Sequence, residues 1–142
     1  MKDFEVKDLK VTRTTSITAE QIRTLLCCAF EGGSNYWYEE LTPHTYPEGL
    51  THEDYKEGGN AQDPDNYWHW CQLLPTTGGS VQFMDIESGE THILDGDKVK
   101  SGLQIMADRC PSHFNDFLEE NDDAETGDVF LQCCVLGDLV YG

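Results

Sequence analysis

Hydrophobic residues recur at Ile22, Leu25, Leu26, Ala29 and Phe30, the spacing of one buried face of a helix. Thr18 stands just before that face and Gln21 three residues on, so the pair predicts a capping box at a helix N-terminus. Gly32 and Gly33 then end the run, which predicts a helix over residues 18–31. Asn35, Tyr36, Trp37 and Tyr38 follow as a short segment suited to a pleated surface. Upstream, Phe4/Val6 and Leu9/Val11/Thr13 alternate with a slip between them, predicting one strand or two short ones over 4–14. Downstream, residues 42–66 read as a long polar connection punctuated by Pro43, Pro47, Gly58-Gly59 and Pro64; Tyr46 and Tyr55 predict that it drapes over the body.

From Tyr67 the pattern changes. The stretch 67–74, a turn at Thr76 to Gly79, the stretch 81–87, a turn at Ser88 to Glu90 and the stretch 91–94 read together as a three-stranded antiparallel meander. Asp95 or Asp97 can cap a helix running to Arg109, with Val99, Leu103, Met106 and Cys110 on one face, and Pro111 ends it. Ser112 can cap a short helix bearing Phe114, Phe117 and Leu118. A last helix starts near Thr126 to Asp128, carries Val129, Phe130, Cys133, Cys134 and Leu136, and meets a stop at Gly137. Leu139, Val140 and Tyr141 are too apolar for a free tail. The switch between period 3.6 and period two predicts an α+β fold. It is a single domain over 1–142, an antiparallel sheet of three to four strands packed against about four helices, with 43–66 as the long loop.

The length supports that reading, because 142 residues can bury roughly two thirds of their unfolded surface in one core. Charge changes the functional picture more. Nine Lys plus Arg stand against 27 Asp plus Glu, a formal net charge of −18. Residues 26–142 alone hold 23 acids and four bases, a net −19, and no Lys or Arg follows Arg109. Such a field repels phosphates and anionic membranes and attracts basic protein surfaces, so direct nucleic-acid binding is disfavoured. No apolar run is long enough to cross a bilayer and the first residues do not resemble a signal peptide, so a cytoplasmic location is expected. The six cysteines fall as Cys27-Cys28, Cys133-Cys134, Cys71 and Cys110 without a C-x-x-C spacing, which points to reduced, core-packed thiols and to no metal or cofactor.

Candidate chemistry is sparse. The most acidic stretch holds Asp116, Glu119, Glu120, Asp122, Asp123, Glu125 and Asp128. Counted from Asn121 or Asp122, its glycine and distal glutamate do not fall where a calcium loop needs them, and it reads as a solvated turn whose acids favour the next helix N-terminus. His52 with Glu53 and Asp54, or Cys71 with His69, could in principle exchange protons, yet neither pair has a third orienting group. Ser34 lacks the nucleophile-elbow pattern and no phosphate-binding glycine loop is present, so no catalytic residue is assigned. Trp37, Trp68 and Trp70 are the residues best suited to line a ligand pocket, although in a single domain such aromatics mainly form the core, the role expected first for Trp37 and Trp68.

The runs AFEGGSNYWYEEL and SGLQIMADRCPSHFNDFLEENDDAETGDVFLQCCVLGDLVYG, with the aromatic stretch between them, resemble small acidic proteins of unknown function encoded by bacteriophages and prophages. The resemblance covers most of the chain and is weakest over 43–66. It implies a bacterial cytoplasm during infection, where small acidic phage proteins neutralise host nucleases or other defence complexes; it carries over no site residues. The leading expectation is an interaction protein that binds a basic surface of a host protein through Asp116, Glu119, Glu120, Asp122, Asp123 and Glu125. Two alternatives stand beside it: a small-molecule-binding protein or enzyme with an aromatic pocket at Trp37, Trp68 and Trp70, and an accessory protein whose acidity serves solubility alone.

Overall fold

The computed structural model describes residues 9–55 and 68–142. Helix α1, Ala19–Cys28, begins as the sequence predicts: Thr18 Oγ1 accepts the Gln21 N–H at 3.2 Å and Gln21 Oε1 accepts the Thr18 N–H at 2.8 Å. Leu25 and Leu26 on its inner face are fully buried. At Ala29–Gly33 the helix loosens into a π-turn, closed by the Ser34 N–H on the Ala29 carbonyl at 2.9 Å. That turn aims the chain into β1.

The sheet has three antiparallel strands, β1 (Tyr38–Thr45), β2 (Ser80–Asp85) and β3 (Thr91–Leu94), in the order β1-β2-β3. Tyr38 pairs with Asp85 and Val81 with Leu94. Edge strand β1 carries a bulge between Glu39 and Thr42, where Glu40 takes a left-handed φ of 58°. Phe83 on β2 meets Phe30, Trp37 and Tyr38 edge-on at 5.6–5.9 Å, and these rings form the centre of the core.

Three predicted elements differ. The stretch 67–74 is not a strand: from Trp70 to Leu73 it forms the short helix α2, continued by a tight turn at Leu74–Thr76. The His69 N–H bonds the Gln72 side chain at 2.9 Å, and Cys71 to Pro75 are all buried, so neither face alternates with solvent. Strand β1 takes the vacant place in the sheet, and the long connection therefore begins after Thr45 instead of at Thr42. Of the predicted N-terminal strand, residues 4–8 lie outside the described residues; Leu9 to Thr14 form no strand, with Leu9 60 % and Val11 95 % exposed.

Helices α3 (Gly96–Arg109), α4 (Pro111–Leu118) and α5 (Ala124–Val135) complete the chain. Asp95 caps α3 by accepting the Lys98 N–H at 2.9 Å. Pro111 ends α3 and also begins α4, displacing the start expected after Ser112. Asp123 caps α5, earlier than the expected start at Thr126 to Asp128. Thr126 to Cys134 are all buried, so α5 is the central helix, packed on α1, α3, α4 and β3. Close approach is possible because Gly127 lacks a Cβ: one built there would lie 2.6 Å from Cys28 Cβ and 2.8 Å from the Leu25 carbonyl oxygen. No helix among the described residues is long and apolar enough to cross a membrane.

Candidate functional site

The acidic residues gather where α4 turns into α5. Helix α4 closes in a Schellman-type cap, with the Glu120 N–H on the Phe117 carbonyl at 3.1 Å and the Asn121 N–H on the Asp116 carbonyl at 2.8 Å. The left-handed position of that cap, φ 59°, is held by Glu120 where glycine is the favoured residue. Glu119, Glu120, Asp123 and Glu125 are exposed, while Asp116 and Asp122 are half-buried. Asp123 is engaged, its carboxylate accepting the Thr126 N–H at 3.0 Å, and the Thr126 and Glu125 N–H groups hold its carboxyl below the ordinary value. His113 Nε2 lies 3.9 Å from Glu125.

This turn forms one wall of a groove of about 590 Å³ whose other wall is the first turn of α1. Thr18, Glu20, Gln21 and Thr24 line it from α1 and Glu120 and Asp122 from the turn, above Phe117, which is itself buried. The groove thus gathers three carboxylates above a buried aromatic residue, a combination suited to the charged head of a Lys or Arg side chain. Sequence reasoning found the α4–α5 carboxylates but missed Glu20, because the two segments are a hundred residues apart in the chain. Arg109, the last basic residue, is taken by Asp138 at 2.9 Å.

Asp128 does not belong to the solvated turn. It is 7 % exposed and accepts hydrogen bonds from Ser34 Oγ at 2.8 Å, Trp37 Nε1 at 2.7 Å, the Tyr36 hydroxyl at 2.6 Å and Gln132 Nε2 at 3.1 Å. Burial, then the Asp128 carboxylate, pushes the Tyr36 phenol up to about 12. Gln132 extends the network, its Oε1 accepting the Val140 and Tyr141 N–H groups at 2.8 Å each. A second buried carboxylate, Asp85, accepts the Tyr141 hydroxyl at 2.7 Å. The C-terminal residues are therefore strapped to the body by side chains, as their apolar character predicts for Tyr141; Leu139 and Val140 stay largely exposed.

The tryptophans separate. Trp37 is sealed in the core, its indole N–H spent on Asp128, whereas Trp68 and Trp70 are half-buried at the start of α2. Trp68 lines a cleft of about 260 Å³ between α1 and α2, together with Thr24, Cys27, Glu31, His69 and Gln72. Neither Trp37 nor Trp70 lines it.

The thiols are free and poorly suited to nucleophilic work. Burial raises Cys27 to about 12, helped by its hydrogen bond to the Glu31 carboxylate at 3.1 Å, and raises Cys71 to about 11 and Cys133 to about 12. His52 contacts the Tyr46 hydroxyl at 3.0 Å, while Asp54 caps the local turn through the Thr51 N–H at 2.7 Å, so Asp54 serves the backbone there. Among the described residues no group of three or more His, Cys, Asp or Glu side chains could hold a metal ion. No family model matches the chain, nor does any curated protein or solved structure.

Proposed function

We propose that this chain is a phage-encoded acidic interaction protein that acts in the bacterial cytoplasm by docking its α4–α5 end on a basic surface of a host protein, one that otherwise holds nucleic acid. The observation that carries the reading is the groove that brings Glu20, Glu120 and Asp122 together from two ends of the chain. A basic side chain entering it would place its charge among the carboxylates, above the sealed Phe117. The remaining acids, Asp116, Glu119, Asp123 and Glu125, flank that point and steer a cationic partner toward it, since the whole domain carries −18. A nuclease or a nucleic-acid-targeting defence complex is the class of partner with such a surface.

Capture from bacterial lysate on the immobilised chain tests this directly. Retention of one DNA- or RNA-binding protein at low salt, reduced at high salt and competed by added nucleic acid, is the expected result. Capture that ignores both salt and nucleic acid would remove the electrostatic basis of the reading.

A further inference from the structure

The cleft between α1 and α2 contains a polar group that the acidic surface does not use. Gln72 lines it and is 1 % exposed. Its Oε1 accepts the His69 N–H at 2.9 Å, and because a backbone N–H can only donate, this contact fixes which end of the amide is oxygen. The other end, Nε2, has no hydrogen-bond acceptor among the described residues. Buried amide donors are almost always satisfied, so an orphan one on a residue that lines a cleft marks a place where an acceptor from outside belongs once a small local movement uncovers it.

The rest of the lining restricts what brings that acceptor. Glu31 Oε2 takes the Cys27 thiol at 3.1 Å and its Oε1 lies 4.0 Å from His69 Nε2, which leaves the carboxylate capacity to accept from a ligand N–H. Cys27 is held as the neutral thiol, so Glu31 supplies the negative charge of this wall and disfavours anions. Trp68 adds an indole surface suited to a flat ring. At about 260 Å³ the space falls below the roughly 300–1,000 Å³ of drug-sized pockets, which limits the occupant to a fragment-sized molecule.

We propose that the α1–α2 cleft binds a small, uncharged, planar molecule that presents a hydrogen-bond acceptor to Gln72 and an N–H donor to Glu31, the edge carried by a nucleobase or an aromatic carboxamide. The site adjoins the acidic groove at Thr24, which lines both, but Gln72, Glu31 and Trp68 line the cleft alone, so the proposal stands whether or not the groove binds a protein. Nitrogen-15-labelled full chain is titrated with adenosine, with nicotinamide and with nicotinate, following the Gln72 side-chain NH₂ and the Trp68 indole N–H. Saturable shifts of both signals at millimolar adenosine or nicotinamide are expected, the stronger binder identifying the nucleobase or the carboxamide source. Nicotinate, which replaces the donor by a charge, should bind at least about tenfold more weakly. Gln72→Glu keeps the oxygen for His69 while removing the donor, and should lose about tenfold in affinity or more for the better probe. Absence of shifts with both neutral probes, shifts centred away from Gln72 and Trp68, or equal binding of nicotinate overturns the proposal; the titration of the unaltered chain decides it even where Gln72→Glu fails to fold.

Discussion

Two acidic residues eight positions apart have opposite fates, and their hydrogen bonds explain why. Asp128 is buried because Ser34, Trp37, Tyr36 and Gln132 satisfy its carboxylate, so removing it strands several donors in the core. Asp128→Ala should lower unfolding free energy by about 3 kcal/mol or more, with Asp128→Asn costing less because Trp37 and Ser34 keep an acceptor. Urea unfolding of both variants checks the order. Glu120 is the reverse case, a side chain that the fold does not need at a backbone position that suits glycine. Glu120→Gly should leave stability equal or raise it by up to about 1 kcal/mol, since relief of the left-handed strain outweighs the entropy of the added glycine. The same variant should weaken partner capture. A loss of stability would show that the Glu120 side chain serves the fold and not the groove.

At the scale of elements, what the sequence made legible tracks how local the deciding interaction is. The capping box of α1, the Asp95 cap of α3, the β2–β3 hairpin and the Pro111 break are each decided within a few residues, and each is where the pattern predicts it. Helix α2 fails the same test because its alternating Trp, His, Trp, Cys stretch fits period two as well as one helical turn. Burial of Cys71 to Pro75 on all sides, a tertiary fact, decides it. Asp128 and Gln132 carried a signal that went unused: two polar residues at i and i+4 inside an apolar run point one way and need a partner. The thiols on α1, α2 and α5, of which Cys71 and Cys133 are buried and Cys27 half-buried, give these elements a shared pH response. Folded values near 11 to 12 for Cys27, Cys71 and Cys133 exceed the ordinary 9.0, so the unfolded chain loses these protons first. Their stabilisation is complete below pH 9.0 and is lost as pH rises through the folded values. Urea midpoints should therefore fall between about pH 8 and about pH 10.5, and Cys71→Ala should flatten that fall.

For the molecule as a whole, the question is whether a net charge of −18 is an instrument or a coating. Glu119, Glu120, Asp122 and Asp123 can be neutralised together as Glu119→Gln, Glu120→Gln, Asp122→Asn and Asp123→Asn without disturbing the fold. The first three are not needed by the helices, and asparagine still accepts the Thr126 N–H as an N-cap. Surface charges of this kind contribute little to stability, so the melting temperature should change by no more than a few degrees. Association with the captured partner is a different matter, because rim carboxylates act on the encounter rate. The on-rate should drop at low salt and its dependence on salt should flatten, while the off-rate changes mainly through the loss of Glu120 and Asp122 from the groove. A domain whose acidity serves solubility alone would show the same on-rate before and after. Neutralising an equal number of acids at Glu39, Glu40, Glu87 and Glu90, far from the groove in sequence, separates position from total charge. Equal slowing by both sets would mean that the field of the whole molecule steers the partner and that the α4–α5 end has no special part in docking.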